Sequence, residues 1–317
     1  MFVPELPEVE TIRSGLAELL PGQRIAGVEV LLNKSLSAPE SHITTHIAGA
    51  GVTDVRRRGK IMIVDLSSGY SLLVHLKMTG QLVFEAGGQQ PAKPGTGTNE
   101  PHSCPNPTSE TGDGRRVAGG HPTQSMAGDL PDKTTRVIFT FQDGSKLFFN
   151  DQRTFGWMKL VERSKVERDK CFMAMGVEPL GSQFEVCHLK SRLKHRKAAI
   201  KTLLLDQSHV AGLGNIYADE ALHLAQVHPS REGQSLSDEE IERLHAAIIK
   251  VLGDSIQAGG TSFTSYVNAN GITGDYLHNA RVYRRQGEPC RACGTTIDKI
   301  KVGQRGTHIC PNCQKLT

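Results

Sequence analysis

Four cysteines near the end of the chain constrain its fold more than any other feature. Cys290 and Cys293 stand two residues apart, sixteen residues follow, and Cys310 and Cys313 repeat the spacing. Two such knuckles joined by a hairpin offer four thiolates in a tetrahedral array, the donor set of a structural Zn2+ site. Four ligands leave no open coordination position, so this metal holds structure and does no chemistry. Metal binding can contribute roughly 10–16 kcal/mol to the folding of so small a module. Lys301-Val302-Gly303-Gln304-Arg305-Gly306-Thr307 lies between the knuckles, and its two glycines permit a tight turn with Arg305 at the tip. Thiols reserved for a metal imply a reducing, cytoplasmic location. Cys104, Cys171 and Cys187 remain as inert thiols.

The 317 residues give room for about two domains. Aromatic residues make up only 5% of a chain that is 38% hydrophobic, so the cores should be mainly aliphatic. No apolar run approaches the ~20 residues of a membrane span. The acidic start lacks the basic region of a signal peptide. Net charge is +4, but Cys187 to Lys201 holds six Lys/Arg and no acid, and Arg281 to Thr317 holds eight Lys/Arg against two acids. Each segment carries +6, so the rest of the chain is acidic. A basic C-terminal half suits a polyanion held on one face.

Short β-strands with turn signals dominate the first half and indicate a sandwich or barrel. They are expected at Arg24 to Asn33, Val52 to Arg58, Ile61 to Leu66, Tyr70 to Leu76, Gln81 to Phe84, Thr135 to Gln142, Lys146 to Asn150 and around Trp157 to Val161. Residues 86–131 contain 16 Gly or Pro among 46, no aromatic residue, and only Val117 and Leu130 from the large aliphatic set. Such a segment reads as a disordered insertion. The second half is helical. Helices are expected over Lys197 to Asp206 and Ile216 to Ala225, and from the capping box at Ser237-Asp238-Glu239-Glu240 to about Ala258. A polar loop, Thr261 to Tyr276, follows. The turn Val210-Ala211-Gly212-Leu213-Gly214-Asn215 aims backbone N–H groups from a helix N-terminus, a natural phosphate site.

The chain opens with Pro4-Glu5-Leu6-Pro7-Glu8-Val9-Glu10-Thr11, ahead of an amphipathic helix carrying Val9, Ile12, Leu16 and Leu19 on one face. A proline at a free N-terminus is a secondary amine with a usable neutral fraction near pH 7. It can attack a sugar C1′ and leave an iminium, with a neighbouring carboxylate moving protons. These eight residues, the glycine turn and the four-cysteine module occur in the order of the formamidopyrimidine-DNA glycosylase family, which the chain resembles over all but 86–131. Met1-Phe2-Val3 depart from the family, whose mature chains begin at the proline. The expectation is that Val3 is the true start, read as Met from a GTG codon and trimmed to free Pro4.

The resemblance implies an α+β fold: an N-terminal β-sandwich domain over 1–165, a helical helix–two-turn–helix domain over 166–280 and a four-cysteine zinc finger over 281–317. It also implies roles for particular residues. Pro4 matches the Schiff-base nucleophile, Glu5 the neighbouring acid/base and Glu8 a supporting acid. Lys60 matches a lysine assigned to proton transfer in β-elimination, and Arg305 an arginine assigned to phosphate contact and δ-elimination. Arg196, Lys201 and Asn215 match phosphate-gripping positions. Met78, Arg153 and Phe155 match the set that fills the gap left by an everted base, and favour the oxidised-purine branch. Thr134 replaces a common phosphate-contacting His, and Gln152 and Thr154 alter the Asp-Pro-Arg-Arg-Phe-Gly form. The implied partner is damaged double-stranded DNA, bound by a monomer with no soluble cofactor. Three other readings stay open: a lesion-binding relative that does not cut, an endonuclease VIII-like enzyme for oxidised pyrimidines, and a zinc-finger module without a repair role.

Overall fold

The structure, a computed structural model, describes residues 3–87, 116–121, 128–261 and 276–316. Most of the 86–131 insertion and most of the Thr261 to Tyr276 loop lie outside these residues. No helix among them is long and apolar enough to cross a membrane.

Helix α1 (Leu6–Leu19) is followed by β1 (Ile25–Val30), β2 (Leu36–Ser37), a single turn α2 (Glu40–His42), β3 (Val52–Arg58), β4 (Ile61–Leu66), β5 (Tyr70–His75), β6 (Gly80–Glu85), β7 (Arg116–Gly120), β8 (Thr135–Phe141), β9 (Lys146–Asp151) and β10 (Trp157–Glu162). Two five-stranded sheets result, ordered β1-β8-β9-β6-β7 and β2-β10-β5-β4-β3. Their inner faces meet over Met62, Val64, Leu72, Val74, Phe139, Phe149 and Met158, and α1 closes one end through Val9, Ile12 and Leu16. Strand β4 is apolar from Ile61 to Val64 because both its faces are covered there, and its one charged residue, Asp65, pairs with Arg56. Met62, Val64 and Leu66 enter the sandwich, while Ile61 and Ile63 meet Leu73, Val166 and Phe172 outside it. This is the expected β-sandwich.

One expectation needs correction. Within the segment read as disordered, Arg116–Gly120 forms β7, antiparallel to β6 with Phe84 opposite Val117. Val117 and Leu130, the segment's two large aliphatic residues, both pack. Val117 joins the sandwich core and Leu130 lies against Val83, Ala118, Ile138 and Phe148. An edge strand with two glycines has too little local signal to be read alone; pairing with β6 decides its conformation.

The second half contains α3 (Lys170–Met173), α4 (Val186–Leu193), α5 (Ile200–Leu205), α6 (Asn215–Leu224) and α7 (Asp238–Gln257), then β11 (Asp298–Val302) and β12 (Arg305–Ile309). Ser237 caps α7 in the expected capping box, its hydroxyl accepting from Glu240 N while Glu240 bonds back to Ser237 N. Tyr217, Leu222, Leu244, Ile248 and Val251 form the core of this domain. The hairpin β11–β12 packs on α6.

Candidate active site and DNA-facing edge

The glycine turn before α6 and the N-terminus of α1 clasp each other. Leu6 N donates to Gly212 O at 3.0 Å. Gly212 has φ +83°, and a Cβ there would press within 2.6 Å of Leu6. At Gly214 a Cβ would fall 2.2 Å from the Glu5 carboxyl carbon. Only glycine leaves room for that carboxylate. Glu5 accepts from Ile216 N at 2.9 Å and Tyr217 N at 3.5 Å. The N-terminus of α6, read from sequence as a phosphate site, is thus occupied by a carboxylate of the chain itself. The positive end of the helix dipole favours an anion either way.

Burial still outweighs these contacts. Desolvation lifts the Glu5 carboxyl to about 7, with Lys60 pulling it down and Glu8 pushing it up. Glu5 is therefore poised to hold or release a proton near neutral pH. Glu8 lies one helical turn away, also buried, and every partner it has among the described residues is a donor. Glu5 N reaches Oε2 at 2.9 Å. Thr261 reaches Oε1 through its N–H at 3.1 Å and its hydroxyl at 2.8 Å. The Tyr217 hydroxyl donates to the same oxygen and lies 2.6 Å from Ser255 Oγ. Burial, and then the neighbouring Glu8, push the Tyr217 phenol well above its ordinary value, so it stays a donor.

Lys60 stands on the turn between β3 and β4, in the same domain as Glu5 and Glu8, and reaches across to the helical domain. Its ammonium donates to Leu213 O at 3.0 Å, and burial lowers its pKa against the opposing pull of Glu5 and Glu8. Arg57 braces this turn. It bonds Gly59 O at 2.8 Å, Glu10 of α1 at 2.7 Å and Glu178 at 3.0 Å. Pro4, buried just ahead of α1, is acylated by Val3 in the chain as it stands, so its nitrogen is a tertiary amide without a nucleophilic lone pair.

The loop carrying Met78 and the loop carrying Arg153 and Phe155 are neighbours, because Gly80 pairs with Asp151, and the Asp151 side chain ties them together. That carboxylate accepts from the Thr79 hydroxyl, from Arg153 N at 3.2 Å and from Gly156 N at 2.6 Å. The Arg153 guanidinium lies 5.0 Å over the Phe155 ring. Phe155 is 51% exposed, unusual for a phenylalanine with no burial to gain in the free protein.

The finger hairpin is fixed to the helical domain by a buried ion pair. Lys201 Nζ meets Asp219 Oδ1 at 2.5 Å, Thr307 Oγ1 at 2.8 Å and Gly306 O at 3.2 Å. Asp219 Oδ2 accepts from His308 N at 2.9 Å. Lys201, matched to a phosphate-gripping position, has a side chain with no exposure at all; here it anchors the hairpin. Asn215 Nδ2 bonds Gly306 O at 3.1 Å, while its Oδ1 has no partner among the described residues. Arg305 opens β12 and is exposed beside Asn215's contact. Arg196 is exposed on the turn entering α5, its N–H bonded to Leu193 O at 3.0 Å. The four cysteine sulfurs lie near one another. Cys293 Sγ lies 3.4 Å from that of Cys310 and 3.5 Å from that of Cys313, and Cys290 Sγ lies 3.9 Å from that of Cys313. Such spacings suit thiolates around one divalent ion.

Three family models match in chain order: the formamidopyrimidine-DNA glycosylase N-terminal domain over residues 3–158, the formamidopyrimidine-DNA glycosylase H2TH domain over 175–267, and the zinc finger found in FPG and IleRS over 287–316. The chain belongs to the formamidopyrimidine-DNA glycosylase family. It is a DNA-binding repair glycosylase with a zinc-finger domain. The formamidopyrimidine-DNA glycosylase of Pelotomaculum thermopropionicum is 41% identical over 99% of this chain and 100% of its own length. That of Thermosynechococcus vestitus is 37% identical over 99% and 98%. Among solved structures, a Lactococcus lactis FPG mutant in complex with DNA containing Fapy-dG superposes with TM-score 0.81 at 31% identity, covering 98% of this chain and 100% of that one. The Lactococcus enzyme in complex with DNA containing an abasic site superposes with TM-score 0.79 at 29% identity over 98% and 99%.

Several residues of this glycosylase's site escaped the sequence reading. Tyr217, Ser255 and Thr261 carry no motif of their own and meet Glu8 only through folding. His75 accepts from Lys77 N at 3.0 Å. Burial, then the charges of Lys77 and Lys60, push its imidazole down to about 3, so the ring is neutral. Glu220 accepts from Arg281 N, Val282 N and Tyr283 N at 2.7 to 2.9 Å and so fixes the chain entering the finger. An acidic pair, Asp219-Glu220, inside an otherwise apolar helix was the available signal.

Proposed function

We propose that this glycosylase is bifunctional, excising oxidised purines (8-oxoguanine and formamidopyrimidines) from duplex DNA and cleaving the strand at the resulting site. The observation that carries the reading is Glu5, buried beside Lys60 and directly after Pro4, with its carboxyl held near neutrality. In this reading Pro4 is freed at its N-terminus and its secondary amine attacks C1′. The C1′–N9 bond breaks, the base leaves with a proton, and an iminium joins Pro4 to the opened sugar. Glu5 exchanges the protons of these steps and Glu8, held by four donors, fixes Glu5's backbone. Loss of a C2′ proton then expels the 3′ phosphate, and a second elimination expels the 5′ phosphate, with Lys60 and Arg305 serving these steps. Asn215, Arg196 and Arg305 face the backbone phosphates.

Met78, Arg153 and Phe155 fill the space of the everted nucleotide. The everted base costs a few kcal/mol of stacking, and an exposed aromatic ring with a guanidinium beside it restores stacking and hydrogen bonds to the orphaned partner. The ion at Cys290, Cys293, Cys310 and Cys313 is Zn2+ in this reading; it supplies a structural cross-link only. The protein acts as a monomer in the cytoplasm. L. lactis FPG complexes with Fapy-dG DNA support the substrate class.

The test is product analysis on duplexes with 8-oxoguanine, a formamidopyrimidine or thymine glycol opposite the normal partner. Base release from the first two, with phosphate at both ends of a one-nucleotide gap, is the expected result. Binding without scission would support the non-cleaving relative. Faster attack on thymine glycol would support the pyrimidine enzyme.

A further inference from the structure

The sulfur of Cys290 has a neighbour that the finger does not supply. His223, near the C-terminal end of α6, places Nε2 3.4 Å from Cys290 Sγ. The donor atoms of His223, Cys290, Cys310 and Cys313 all lie within 4.8 Å of one another. Two arrangements compete: His223 replaces Cys293 as a metal ligand, or it donates a hydrogen bond to a thiolate that is one.

Two observations separate them. Cys293 Sγ is outside that set of four but sits 3.4 and 3.5 Å from the sulfurs of Cys310 and Cys313, so a fourth thiol is at hand beside them. And His223 Nδ1 is buried with no hydrogen-bond partner among the described residues. A metal-bound imidazole keeps its proton on the other ring nitrogen and almost always donates it. Ligation through Nε2 would therefore bury an Nδ1–H without an acceptor, which is costly. With the proton on Nε2 only a lone pair is left at Nδ1, and the N–H points at sulfur.

We propose that His223 donates an Nε2–H···S hydrogen bond to the Cys290 thiolate and so fastens the metal centre to α6. The inference rests on reading the four cysteines as that centre. Four thiolates around a divalent cation carry a net charge of −2, and a donor at one sulfur withdraws part of it. The bond joins the two ends of one helix to two sites. The α6 N-terminus holds Glu5, and its C-terminal turn holds the centre that shapes the Arg305 hairpin. Arg281 and Arg285 are the charged groups that act on His223 from the chain entering the finger.

The experiment uses the full chain loaded with cobalt(II), as wild type, His223→Gln and His223→Leu, with metal affinity measured by chelator competition. Glutamine keeps an N–H donor at similar reach; leucine does not. The expected result is one cobalt per chain and a four-thiolate charge-transfer spectrum in all three. Affinity should fall about 10–100-fold in His223→Leu and only a few-fold in His223→Gln. Equal affinities would overturn the proposal. So would a wild-type spectrum of three sulfurs and one nitrogen that changes in His223→Leu. Should His223→Leu fail to fold, ¹⁵N NMR of the wild-type ring decides: a protonated Nε2 supports the proposal and a protonated Nδ1 overturns it. Wild type that takes up no metal would overturn the metal-centre reading and this inference with it, whereas failure of the inference alone leaves wild-type loading intact.

Discussion

Replacing Glu5 by glutamine is expected to stabilise this protein above neutral pH while abolishing base excision. Glu5 is 3% exposed, and its carboxyl is lifted from 4.5 to about 7, first by burial. The folded protein then holds the proton more tightly than the unfolded chain. Wild-type stability therefore falls as pH climbs from about 4.5 to about 7 and stays lowered above that. The full rise is worth roughly 3 kcal/mol. Lys60 offsets part of the gain from substitution, because its own ammonium is desolvated and Glu5 is its largest source of compensating charge. The net advantage of Glu5→Gln at pH 8 should be about 1–3 kcal/mol, shrinking to nothing near pH 4.5. The glutamine carbonyl can still accept from Ile216 N. Urea titrations of both proteins at pH 5 and pH 8 measure the difference. A pH-independent offset, or a variant less stable than wild type at pH 8, would refute the argument that a buried, desolvated carboxyl sits at this position. Active sites often hold such destabilising groups in exchange for function.

Phe155→Ala should change stability by no more than about 0.5 kcal/mol, as for other exposed sites, yet weaken binding to lesion-containing duplex; thermal melting and a mobility-shift titration read the two. Lys201→Met leaves Asp219 buried without its cation and should cost roughly 3–5 kcal/mol, seen as a lower urea midpoint. Stripping the metal with a chelator should release amide-exchange protection across 298–309 and lower affinity for DNA, while the sandwich strands stay protected.

The sandwich was legible because its signals are local. The short aliphatic runs of β4 and β5 and the turn signals between strands each need only a few residues. The capping box at Ser237 likewise announces α7. What stayed hidden needs distant partners. Val117 looks like a stray aliphatic residue until β6 lies beside it. Glu5 and the α6 N-terminus meet across 211 residues, and a glycine turn that looks built for phosphate turns out to be built for that carboxylate. Lys201 sits in a basic run and reads as a DNA contact, but Asp219 draws it inward. Sequence supplies the charge of a lysine; only the fold says which side of the surface it ends on. The motif around Pro4 was legible as a family signature, and the order of the three matched domains agrees with the family read from it.

The central claim is that Pro4 becomes a free secondary amine and attacks the sugar. Borohydride trapping on an 8-oxoguanine·cytosine duplex, with protein made from the native gene and peptide mapping of the adduct, tests it most directly. One covalent adduct is expected, on Pro4 at the mature N-terminus. Protein that binds the duplex yet yields no adduct, with Val3 still joined to Pro4, would contradict it.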